Sequence, residues 1–125
     1  MTTSYLGVDV GGTKCAVSLG TCNDDRFEII TKHQISTLEF DTPNHIINEL
    51  IKLAQQLLND SQFQSNDVKA IGVSCGGPLD AKNGLILSPP NLRGWDRIPI
   101  VERLQNALNI KAFLENDVNA CALAE

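Results

Sequence analysis

The 125-residue sequence predicts an α/β domain built on a mixed five-stranded sheet with helices on both faces. Three observations carry this reading. Apolar stretches at 5–10, at 14–20 and from Phe27 to Thr31 are separated only by turn residues, the pattern of an antiparallel meander. Apolar residues then recur at helical spacing after Thr42-Pro43 and again from Ile100. Each helical stretch leads into another apolar strand, and such crossovers lay strands parallel.

The elements follow in order. Tyr5-Leu6-Gly7-Val8 opens the first strand, and Lys14 to Gly20 alternates as a second. Asn23-Asp24-Asp25 turns the chain into a third strand that begins at Phe27–Thr31. Thr42 is an N-cap, with Pro43 in the first turn. Ile46, Ile47, Leu50, Ile51, Ala54, Leu57 and Leu58 then form one wide apolar face, and the helix ends near Asn59-Asp60. Val68–Ser74 is a fourth strand, running into Cys75-Gly76-Gly77-Pro78. Residues 80–84 are a turn, 85–87 are extended and 88–91 are irregular. Ile100, Val101, Leu104, Ala107 and Leu108 mark a second helix, and 112–114 a fifth strand. A third helix opens at Asn116-Asp117 and carries Val118, Cys121, Ala122 and Leu123. The order is β-β-β-α-β-α-β-α.

A chain of this length is the size of one domain, and 42% hydrophobic residues suffice for a packed core. A net charge of −5 offers no basic stripe for nucleic acid. No apolar run approaches the ~20 residues of a membrane span. The start, Met1-Thr2-Thr3-Ser4, has no basic patch and is not read as a signal peptide. Cys15, Cys22, Cys75 and Cys121 are scattered, without a C-x-x-C pair, and fit reduced thiols in a cytoplasmic protein.

Chemistry concentrates at the strand ends. Asp9-Val10-Gly11-Gly12-Thr13-Lys14 joins a carboxylate, two glycines, a hydroxyl and an ammonium. Two readings are open: a plain hairpin turn, or backbone N–H groups that cradle an anion beside a carboxylate suited to a hydrated divalent cation. The spacing matches neither the Walker pattern nor the dinucleotide fingerprint. Strand four ends in Gly76-Gly77-Pro78 and strand five in Glu115-Asn116-Asp117. Ligands of parallel sheets bind beyond the carboxyl ends of strands. Three such ends on one edge favour a ligand site.

These segments, with Ser88-Pro89-Pro90-Asn91-Leu92…Gly94-Trp95 and Asn116-Asp117-Val118-Asn119…Glu125, closely resemble the ROK family of sugar kinases and related repressors. The resemblance covers the whole chain in order. It implies a ribonuclease-H-like lobe of the actin/Hsp70/hexokinase superfamily. It also implies ATP-dependent phosphorylation of a hexose or N-acetylhexosamine hydroxyl. The repressors carry a DNA-binding module before the first motif; Asp9 lies too near Met1 for one, so the kinase branch is expected. A non-enzymatic sugar-sensing domain is the other reading.

By this resemblance Asp117 is the catalytic base, although Asp at a helix start is also a common N-cap. Gly11, Gly12 and Thr13 cradle the transferred phosphate, and Asp9 holds Mg²⁺ through water. Lys14 either contacts phosphate or faces solvent. Gly76, Gly77, Asn91, Asn116 and Asp117 are the sugar contacts. Trp95 is read as packing and Glu115 as structural. Cys75 stands where the family often has a small residue or proline, which bears on sugar preference. The family's second lobe supplies the adenosine pocket, a Glu-x-Gly-His segment and a zinc motif. Residues 1–125 are therefore expected to be the N-terminal lobe of a two-lobe kinase. Alone they would be inactive; the full-length protein would be a homodimer, with any zinc in the other lobe.

Overall fold

The computed structural model describes residues 3–23, 26–60, 68–75, 79–80, 82–87, 92 and 94–115. A meander comes first: β1 (Thr3–Val10), β2 (Lys14–Asn23) and β3 (Arg26–Ser36). A short 3₁₀ turn (Thr37–Glu39) leads to α1 (Pro43–Asp60) and then β4 (Val68–Cys75). A small hairpin of β5 (Leu79–Asp80) and β6 (Leu85–Ile86) precedes α2 (Ile100–Leu108) and β7 (Ala112–Glu115). The main sheet has the order β3-β2-β1-β4-β7. β1 pairs antiparallel with β2 and parallel with β4, and β4 pairs parallel with β7. The expected mixed five-stranded sheet is present.

Strand alternation sorts the two faces. Leu6, Val8 and Val10 of β1 lie beside Leu19, Val17 and Cys15 of β2 and Ile71, Val73 and Cys75 of β4. These side chains form one core with Ile47, Leu50, Ala54 and Leu57 of α1 and Ile100 and Leu104 of α2. Both described helices therefore share a face. Burying Ile47 and Leu50 stabilises the fold by about 2 kcal/mol each. On the opposite face Tyr5, Cys22 and Ala70 are buried in a smaller cluster. The third helix expected from Asn116 lies outside the described residues.

Local chemistry explains the element ends. The Thr42 hydroxyl accepts from the His45 N–H at 3.2 Å, the N-cap bond its position predicts. α2 stops at Asn109, whose φ of 58° is left-handed. Arg103 joins the helices, donating to Asn44 Oδ1 and Asn48 Oδ1, both at 2.7 Å. The Gln105 side chain accepts from the Ala112 N–H at 3.0 Å and ties α2 to β7.

Two features go beyond the sequence reading. The third strand, read as beginning at Phe27–Thr31, runs as β3 to Ser36. It is an edge strand, and its run Lys32-His33-Gln34 is exposed and carries no alternation to read before Ile35 packs against the core. The extended piece after the 80–84 turn pairs back as a hairpin. Asp80 accepts from the Asn83 N–H at 3.2 Å and from Nδ2 at 2.8 Å, bonds that hold its carboxyl below the usual range. Gly84 closes the turn at φ 71°, and a Cβ there would meet Val101 at 2.6 Å. No described helix is long and apolar enough to cross a membrane.

Leu50 is fully buried, whereas Leu38 is 77% exposed. Urea unfolding should show Leu50→Ala costing about 3 kcal/mol. Leu38→Ala should stay within about 0.5 kcal/mol of the unsubstituted chain.

Candidate functional site

Pairing register sets the level of the strand ends. Val10 lies opposite Cys75, and Asp9 opposite Ser74, which in turn lies opposite Glu115. The parallel strands β1, β4 and β7 thus end within one residue of each other. Strand spacing puts the Asp9 and Glu115 backbones about 10 Å apart. Gly76, Gly77, Asn91, Asn116 and Asp117 lie outside the described residues, but the strands before four of them stop at one edge.

Residues 11–13 cross that edge between β1 and β2. Neither Gly11 nor Gly12 takes a left-handed φ. Gly11 is needed for closeness instead: a Cβ there would meet the Lys14 carbonyl oxygen at 2.7 Å. The Gly11 carbonyl accepts from the Thr37 hydroxyl at 2.8 Å, and the Thr13 carbonyl from the Thr37 N–H at 2.9 Å. Among the described residues no group accepts from the Gly12 or Thr13 N–H. The loop turns the Gly11 and Thr13 carbonyls towards Thr37, and its Gly12 and Thr13 N–H groups meet no acceptor among the described residues, as an anion cradle requires.

Asp9 is exposed, on the sheet face opposite the helices. The Ser74 hydroxyl donates to Asp9 Oδ1 at 3.0 Å and fixes the carboxylate. One accessible carboxylate with a spare oxygen fits a hydrated Mg²⁺ delivered with phosphates, since that ion keeps several waters. The described residues hold no group of three acidic, His or Cys side chains able to ligate a metal. Lys14 is exposed at the start of β2 and makes no ion pair among the described residues.

On the helix side of the loop lies a cleft of about 390 Å³. Gly12, Thr37, Phe40, Asp41, Pro43 and Trp95 line it. Trp95 is buried and packs with the core, as expected. Cys15 sits beneath the loop with its thiol 3.2 Å from Thr37 Oγ1. Burial pushes this thiol above its ordinary value of 9.0, against the opposing pull of the Thr37 bond.

Sequence reasoning missed Thr37 and Ser74. Alternation along β4 could have placed Ser74 on the face of Asp9. Thr37 leaves no local signal, because its partners lie more than twenty residues earlier.

The ROK family model matches residues 5–125. The chain belongs to the ROK family. It is 34% identical to a fructokinase of Lactococcus lactis subsp. cremoris, over all of this chain and 39% of that protein. A ROK hexokinase from Thermus thermophilus superposes with a TM-score of 0.74 at 31% identity, over 98% of this chain and 37% of that one. A Streptomyces griseus ROK glucokinase in complex with glucose and AMPPNP gives 0.72 at 26% identity, over 98% and 35%. A xylose repressor of Caldicellulosiruptor bescii is 22% identical over 98% of the chain and 30% of that protein. The chain thus spans between 30% and 39% of the length of these relatives. Its sheet is the ribonuclease-H-like fold of the actin/hexokinase superfamily.

Cys15 should resist iodoacetamide at pH 8 in the folded ROK chain and react fully in urea, as peptide mass spectrometry would register. Its pKa is raised on folding, so its contribution to stability is complete below about pH 9 and is lost as pH climbs past that value.

Proposed function

We propose that this chain forms the phosphate and acceptor side of an ATP-dependent sugar kinase. The acceptor is a hydroxyl of a hexose or N-acetylhexosamine. One observation carries the reading: β1, β4 and β7 end at one level, and each of the three chemistry-bearing segments follows one of these strand ends in sequence. The Gly12 and Thr13 N–H donors, which meet no acceptor among the described residues, and the neighbouring Asp9 suit a transferring phosphoryl group. A glucokinase of the same family bound to glucose and AMPPNP supports the choice of sugar and ATP.

In this reading Asp117 orients the sugar hydroxyl and takes its proton while that oxygen bonds to the γ-phosphorus and ADP departs. An ordinary Asp, with a pKa of about 3.9, accepts the proton late in such a transfer. Asn116 offers an amide donor and acceptor to the sugar hydroxyls. Gly76 and Gly77 let backbone approach the ring, and Asn91 adds a further contact. Gly12 and Thr13 hold the phosphoryl oxygens, with Lys14 near enough along the chain to add positive charge. Asp9 would hold Mg²⁺ through water, and that ion would neutralise charge on the phosphates.

The xylose repressor relative favours a second reading, in which the fold senses sugar without turnover. One substitution separates the two. In a coupled ADP-release assay across a sugar panel, Asp117→Asn should lower kcat about 10³-fold with little change in sugar KM. A sensor would show no turnover before substitution and unchanged sugar binding after it, by calorimetry. Residues 1–125 alone should show negligible turnover in the same assay.

A further inference from the structure

Thr37 sits at the junction of β3 and the 3₁₀ turn and is buried. Its backbone and side chain point the same way, into the loop between β1 and β2. The hydroxyl donates to the Gly11 carbonyl at 2.8 Å, and the N–H donates to the Thr13 carbonyl at 2.9 Å. The Cys15 thiol lies 3.2 Å from the same hydroxyl and donates more distantly, at 3.7 Å, to the Gly11 carbonyl. One residue thereby grips the loop on both sides of Gly12.

The direction of these bonds matters. A peptide unit is planar and trans, so its N–H points opposite to its C=O. With the Gly11 carbonyl drawn towards Thr37, the Gly12 N–H faces away from Thr37. Without the hydroxyl, that peptide could rotate and set a carbonyl dipole against an incoming phosphate. Fixed donors act on developing charge at no reorganisation cost, and a floating peptide forfeits that gain.

We propose that Thr37 is a positioning residue that locks the Gly11–Thr13 loop in its phosphate-accepting form. This rests on the reading of the loop as a phosphate site. Thr37 touches neither reacting atom; it acts through two carbonyls.

The test compares Thr37→Val, which keeps the shape and loses the hydroxyl, with Thr37→Ser, which restores it. In the whole protein, Thr37→Val should lower kcat about tenfold or more and weaken Mg–AMPPNP binding in parallel, leaving sugar KM unchanged. Thr37→Ser should stay within about twofold, because it can remake the bond. Amide spectra should show the Gly12 and Thr13 resonances moving on Mg–AMPPNP addition in the unmodified protein and in Thr37→Ser. Equal nucleotide binding and turnover in Thr37→Val overturns the lock while sparing the kinase reading. Absence of nucleotide binding in the unmodified protein overturns both. Coupling is reciprocal, so saturating Mg–AMPPNP should also slow hydrogen exchange at the Thr37 N–H. Unchanged exchange there overturns the proposal even where Thr37→Val fails to fold.

Discussion

The position of β1 in the sheet governs everything else. On one side it runs antiparallel to β2, and on the other parallel to β4. Its apolar set, Leu6, Val8 and Val10, must face the helices, so a slip by one residue would turn Val8 out and Asp9 into the core. The register is thus held by burial. That same register places Asp9 opposite Ser74 and brings the glycine loop to the level where β4 and β7 end. Core packing and site geometry are one constraint seen from two sides.

The site divides across the sheet. The face away from the helices carries Asp9 and its Ser74 partner, where a carboxylate stays hydrated. The helix side carries the Thr37 clamp and the cleft bounded by Phe40, Pro43 and Trp95. The loop is the border between an exposed carboxylate and a cleft of mixed polar and apolar lining, in which Thr37, Asp41 and Thr42 stand beside Phe40, Pro43 and Trp95. The helix layer is itself fixed, since Arg103 joins α2 to Asn44 and Asn48 of α1.

Much of this was legible in the residues. The spacing of Ile46, Ile47, Leu50, Ala54 and Leu57 announced α1, and Thr42 announced its cap, because both signals are local. The meander and the parallel crossovers followed from short connections and helical intervals. The extension of β3 was hidden by its exposure: Lys32, His33 and Gln34 need no apolar face on an edge. The β5–β6 pairing was hidden because two-residue strands have no period. Of the site, Asp9 and the glycines stood out by type, while Thr37 and Ser74 act through partners distant in sequence that no spacing rule connects. Asn116-Asp117 stood out as a strand end and a helix start, while the catalytic role read for Asp117 came only from family resemblance.

The clamp on Gly11 and Thr13 has one further consequence. β1, β2 and β3 follow one another with short connections, and within this meander the Thr37–Gly11 contact that shapes the loop spans 26 residues. The pairing of β1 with β4 joins residues more than sixty positions apart, such as Asp9 and Ser74. Closing so long a segment carries the larger entropic cost. The Gly11–Thr13 loop is therefore defined by a meander of consecutive strands, whereas the Ser74 contact waits on distant chain. One chain thus carries a site whose two halves differ in folding demand.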